Sequence, residues 1–214
     1  MHRFRNIDMY YIDFYRTFSH FGCFDINQVK LVEPSFDRTA LTRWVKKGYL
    51  VQLRNGIYAF REWVNTPNAH FTSACFMYRP SYITGYSALA YYGMIPEFVA
   101  QITCATTLKT CSFTNDLGIF VYQHIKPELF VGYALFSVVN QRSFYIASPE
   151  KALIDLLYLN PNIKSVEDMI ELRLDEDYMT EDFDWNSAEE YLSKIKNKSL
   201  NVRFNNLIKA YRND

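Results

Sequence analysis

The sequence predicts an α+β protein in two parts. Three observations carry that reading: helix-spaced aromatic residues at the start, a capped basic helix followed by an Asn-Gly turn, and a later run of strand-like segments ended by a proline-started helix. Of 214 residues, 49% are hydrophobic and 17% aromatic, which excludes disorder for the bulk of the chain and leaves apolar area for one or two dry cores. Length alone leaves the domain count open. The stretch Trp63 to Asn68, with Pro67 in it, reads as a short linker, giving a first domain over 1–62 and a second over 68–214.

Aromatic residues open the first domain. From about Ile7 to His20, Tyr11, Phe14, Tyr15 and Phe18 recur at helical spacing, with Asp8, Asp13 and Arg16 off that stripe. Gly22 breaks the pattern. Asp25 then caps a second short helix containing Ile26, Val29, Leu31 and Val32, which ends before Pro34. A third helix is predicted from a Ser35 cap, with Asp37 in its first turn, Lys46 and Lys47 in its last, and Gly48 as its stop. At 100° per residue, Ala40, Leu41, Trp44 and Val45 fall on one side and Arg38, Thr39, Thr42, Arg43, Lys46 and Lys47 on the other. That polar face combines cations with hydroxyls and carries no acid.

A solvated helix face normally mixes both signs, whereas a helix in the major groove needs cations for phosphates and short polar groups for base edges. Two strand-like runs, Tyr49–Leu53 and Ile57–Phe60, follow directly around Arg54-Asn55-Gly56. Asn-Gly between such runs signals a tight hairpin, because a type I′ turn needs positive φ at both central positions. Helix, helix, basic helix and hairpin form the order of a winged helix-turn-helix with Arg54 at the wing tip. The expected partner is double-stranded DNA, read by Arg38, Thr39, Thr42 and Arg43 and held at phosphates by Lys46, Lys47 and Arg54, with Asn55 beside them. An alternative use of the same fold is a protein-protein interaction module that binds no DNA.

Charge distribution agrees with the first use. The formal net charge is zero, yet residues 1–62 carry ten Lys and Arg against six acids, while eleven acids stand against Arg173 alone between Ser165 and Glu190. Asp175, Glu176 and Asp177 head the acidic stretch, which lacks the glycine and spacing of an EF-hand. It reads as a solvated loop, as a surface for a basic partner, or as a segment folded against the chain's own basic ends.

In the second domain, a helix from Ala69 to Tyr78 precedes a Thr84-capped helix stopped by Gly93, with Leu89 and Tyr92 facing the core. Strand-like runs at Gln101–Ala105, Ile119–Gln123, Tyr133–Val139 and Ser143–Ile146, the last two joined by Asn140-Gln141, predict a small, mostly antiparallel sheet. Ser148-Pro149 starts a helix through Leu159 that should cover the sheet, with further helices at Ser165–Leu172 and Ala188–Ala210.

No enzyme site is expected. Gly85-Tyr86-Ser87 lacks the second glycine of a nucleophile elbow, and no phosphate-cradling glycine run occurs. His20 with Cys23 is the one close His/Cys pair, far short of a zinc site, so neither metal nor cofactor is expected. Lys151 and Asp155, four residues apart on one helix, read as a surface ion pair. Cys23, Cys75, Cys104 and Cys111 form no disulfide framework and suit buried free thiols in a reducing compartment. The opening residues contain no signal-like apolar stretch, and no run approaches the ~18 uncharged apolar residues of a span. The expectation is a soluble cytoplasmic protein with no membrane partner and no small-molecule substrate.

Three blocks together resemble the AbiEi family: Leu41 to Leu50 with Arg54 to Tyr58, Tyr82-Ile83-Thr84 through Tyr92-Gly93, and Ser148-Pro149-Glu150-Lys151-Ala152-Leu153-Ile154-Asp155. They occur in family order over about residues 25–160. The resemblance implies an antitoxin and transcriptional repressor of a bacterial abortive-infection, phage-defence toxin-antitoxin system. Its N-terminal domain would repress its own operon at its own operator, and its C-terminal domain would counteract a cognate nucleotidyltransferase-like toxin. The acidic stretch has no counterpart in the family pattern.

Overall fold

The computed structural model describes residues 10–97, 99–138 and 142–212. Its class is mixed α+β. The first helix, α1 (Tyr11–Phe18), carries the expected stripe, with Phe14 and Phe18 fully buried and Tyr11 and Tyr15 half-buried against the same core. Ile7, where its pattern begins, lies outside the described residues. After a single 3-10 turn, Gly22 at φ 68° bends the chain into a three-residue strand, β1 (Cys23–Asp25), which the sequence does not announce.

Asp25 starts α2 (Ile26–Val32) through a reciprocal cap: its carboxylate accepts from the Asn27 and Gln28 amides, and Gln28 Oε1 accepts from the Asp25 amide at 2.9 Å. Leu31 and Val32 do not pack, being 84% and 58% exposed. The third helix, α3 (Thr39–Lys46), begins later than a Ser35 cap would place it. The Ser35 hydroxyl bonds Glu33 instead, and the intervening residues bury Phe36 against Phe14 and Trp44. Strands β2 (Leu50–Arg54) and β3 (Ile57–Phe60) form the expected hairpin around Asn55-Gly56, but only Gly56, at φ 80°, takes a positive φ; Asn55 does not, so the turn is not the expected type I′, and the register shifts between Gln52 and Arg54. β3 also pairs with β1, giving an antiparallel sheet in the order β1-β3-β2.

Trp63 to Asn68 does not run as an exposed linker. Trp63 sits in a short helix, α4 (Arg61–Val64), and is 3% exposed, with its indole against Gly22 where a Cβ would collide. The buried residues of both halves therefore form one continuous cluster.

Beyond this seam, α5 (Ala69–Met77) leads to a six-stranded sheet built from β4 (Ser81–Ile83), β5 (Gln101–Thr106), β6 (Cys111–Asn115), β7 (Gly118–His124), β8 (Tyr133–Val138) and β9 (Arg142–Ala147). Its order is β6-β7-β5-β4-β9-β8. The sheet is more mixed than expected, because β5 runs parallel to β7 and β4 parallel to β9, while the other three pairings are antiparallel. The expected Asn140-Gln141 connection lies outside the described residues. Helix α6 (Gly85–Tyr91) follows β4 and lies between Thr84 and Gly93 as expected, while Tyr82 and Ile83 before it belong to β4.

Ser148 caps α7 (Pro149–Leu159) by accepting from the Lys151 amide at 3.2 Å. This helix is buried from Glu150 to Leu157 because it packs on the sheet and is itself enclosed by α6 and by the last two of the three C-terminal helices. The three are α8 (Val166–Glu171), α9 (Trp185–Lys194) and α10 (Lys198–Tyr211). The continuous helix expected over Ala188–Ala210 is broken: Ile195 turns into the core, and Asn197 caps α10 by accepting from the Leu200 amide at 3.1 Å. Among the described residues no helix is long and apolar enough to cross a membrane.

Candidate nucleic-acid interface

Helix α3 is anchored by its apolar side. Ala40, Leu41 and Trp44 are buried, and the Trp44 ring packs 4.7 Å from Phe14 and 5.4 Å from Tyr11. The opposite side is fixed by that anchoring, and Arg38, Thr39, Thr42, Arg43, Lys46 and Lys47 all lie exposed on it. Arg43 and Lys46 in the last turn also meet the negative end of the helix dipole, so part of their placement serves the helix itself.

The structure joins two of the predicted contact residues directly. Arg38 Nη2 donates to Asn55 Oδ1 at 2.8 Å, tying the start of α3 to the hairpin turn. An acid does stand at the edge of this face. Asp37 accepts from the Thr39 amide at 2.9 Å and from the Thr39 hydroxyl, and these bonds hold its carboxyl below the usual range, with Arg43 nearby adding to the effect. Thr39 is thus engaged with Asp37, which leaves Thr42 as the hydroxyl of this face with no hydrogen bond among the described residues.

Arg54 is not brought to this face. Its Nη1 donates to the Met77 carbonyl at 2.7 Å, and its guanidinium lies 5.1 Å over the Phe113 ring. The end of β2 is therefore docked on the second half of the chain. Asn115 reinforces that seam by donating to the Leu53 carbonyl at 2.9 Å, and Arg61 pairs with Asp116 at 3.0 Å. Arg54 accordingly leaves the phosphate-contact set.

The Lys151–Asp155 pair is not a surface pair. The two side chains are 1% and 2% exposed and in contact, and Tyr82 and Thr84 complete the group. Lys151 Nζ donates to the Tyr82 hydroxyl at 2.8 Å, while the Tyr82 and Thr84 hydroxyls each donate to Asp155 Oδ2 at 2.8 Å. Thr84 therefore does not cap α6, which has no side-chain cap. Burial pushes the Lys151 ammonium below its ordinary pKa and the Tyr82 phenol well above its own. The group pins α7 to β4 inside the core.

Ser87 is likewise structural, accepting from the Thr103 amide at 2.9 Å and donating to the Gln101 carbonyl at 3.1 Å. Among the described residues no His, Cys, Asp and Glu side chains cluster as metal ligands. Asp175, Glu176 and Asp177 are exposed, with Asp175 Oδ1 accepting from the Tyr178 amide at 2.8 Å in a local turn. The acidic stretch is not wholly a loop, because Tyr178–Asp182 forms a π-helical turn that buries Met179.

Sequence reasoning missed the buried Tyr82, Thr84, Lys151 and Asp155 group. A signal was present: Lys151 and Asp155 are flanked by Ala152, Leu153, Ile154, Leu156 and Leu157, an apolar density that leaves the helix little solvent-facing surface. In comparisons with known proteins, no family model matches the chain and no curated protein matches it.

Proposed function

We propose that the chain is a sequence-specific DNA-binding regulator in which residues from Tyr11 to Phe60 act as a winged helix-turn-helix. One observation carries the reading: α3 presents a continuous exposed face of cations and hydroxyls directly opposite a face locked in the core by Trp44. The element order α1, β1, α2, α3, β2, β3 and the sheet order β1-β3-β2 support it. Arg38, Thr42 and Arg43 read base edges, and Lys46 and Lys47 contact phosphates. Asn55 holds Arg38 in place across the hairpin turn.

The resemblance of the three blocks extends the proposal. The DNA is the operator of the chain's own operon, and the larger half counteracts a nucleotidyltransferase-like toxin, making the chain an antitoxin. One observation favours the protein-interaction alternative, the exposed Leu31 and Val32 on α2. A reporter driven by the chain's own upstream region separates the two uses. Repression by the wild type that is lost in Arg43→Ala and retained in Leu31→Ser supports DNA binding, and repression that is insensitive to Arg43 contradicts it.

A further inference from the structure

The seam between the two halves contains a cavity of about 580 Å³. Phe21, Cys23 and Gln28 wall it from the N-terminal module, and the end of α5 with the β8–β9 pair walls it from the other side. Five aromatic rings line it: Phe21, Phe76, Phe130, Tyr133 and Tyr145. In the β8–β9 register Tyr133 lies opposite Ala147 and Leu135 opposite Tyr145, so Tyr133, Leu135 and Tyr145 share one pleated face. Leu135 and Tyr145 remain 51% and 43% exposed there, apolar surface that an occupant would remove from water.

Arg79 is the one charged residue among those described as lining the cavity. Its guanidinium sits 4.2 Å over the Phe76 ring, and among the described residues no carboxylate pairs with it. Ser81 adds a buried hydroxyl with no partner among the described residues. A lone cation stacked on a ring at an apolar, ring-lined opening is complementary to a flat organic anion. Another seam cavity, of about 820 Å³, offers no such charge, because Arg61 is paired with Asp116 and Glu97 with Arg173.

Cys75 also lines the ring-rich cavity, but burial pushes its thiol up to about 12 and its S–H faces the Tyr145 carbonyl at 3.5 Å. It is no nucleophile, so occupancy is non-covalent. We infer that this cavity binds a small aromatic carboxylate, with its ring system between the aromatic walls and its carboxylate on Arg79. The site is independent of the DNA-binding reading.

Calorimetric titration of the full chain with 1-naphthoate, and with its neutral analogue 1-naphthamide, tests this. The expected Kd for 1-naphthoate is roughly 0.1–1 mM. The amide should bind about tenfold more weakly, and Arg79→Gln should lower 1-naphthoate to the level of the amide. Ser143→Trp, which fills the cavity, should abolish binding of both. Because the acid-amide contrast is read in the wild type, it holds whatever the variants do. Equal affinity for acid and amide overturns the assignment, as does 1-naphthoate binding that survives Arg79→Gln, or no heat at millimolar ligand.

Discussion

Lys151 and Asp155 meet one helical turn apart inside the protein, at 1% and 2% exposure, with the Tyr82 hydroxyl bridging both. Removing one partner leaves the other charge buried and unpaired, so Lys151→Met should cost about 3–5 kcal/mol in urea unfolding. Lys194 and Glu190 share the i,i+4 spacing in reverse order but are 58% and 68% exposed. Glu190→Ala should therefore change stability by less than ~0.5 kcal/mol. Similar losses at both positions would contradict the buried arrangement.

Arg54 should act on stability rather than on DNA. Its charged hydrogen bond to the Met77 carbonyl closes the seam, so Arg54→Ala is expected to cost about 1.5–3 kcal/mol by denaturant titration. DNA affinity measured under conditions where the variant stays folded should be nearly unchanged. A selective loss of DNA binding without destabilisation would return Arg54 to the phosphate-contact set.

The two kinds of contact on α3 should separate by sequence dependence. Arg43→Ala should cost ~1–3 kcal/mol at one operator position, whereas Lys47→Ala should weaken all sequences alike and reduce the salt slope by about one. Competition binding against single-base operator variants measures both. Uniform losses from both changes would contradict the division.

Burial lowers the His70 pKa below 6.5, its ordinary value. As pH falls through 6.5, the unfolded chain takes up this proton before the folded one does, so stability declines and levels off only below the folded pKa. His70→Gln should flatten the part of the profile that falls as pH drops through 6.5, read as the urea midpoint. An unchanged slope would assign the pH dependence to other groups.

Asp175, Glu176 and Asp177 are exposed, so reversing all three to lysine should leave the fold intact. If this surface meets a basic toxin, rescue from the toxin in cells should weaken while DNA binding stays unchanged. Full rescue by the reversed variant would remove the acidic stretch from the toxin-facing surface.

Local chemistry made much of the fold legible. The Asp25 and Ser148 caps, the position of the Asn55-Gly56 turn though not its type, and the two faces of α3 are set by residues within a few positions of one another, and they lie as expected. β1 and β4 were not legible, because three residues are too few to show an alternation and both strands exist through distant partners. The fates of Arg54 and Trp63 depend on Met77 and Gly22, which sequence spacing does not bring near them. Burial of Lys151 and Asp155 required knowing that α7 is enclosed by other helices as well as by the sheet.

The most direct test of the DNA-binding claim is a gel-shift titration of the purified chain against its own upstream DNA and a scrambled duplex, at low and high salt. The account predicts preference for the native sequence, with affinity falling steeply as salt rises because cations on α3 displace counterions from phosphates. No binding to either duplex at low salt would contradict it and leave the protein-interaction module as the reading to pursue.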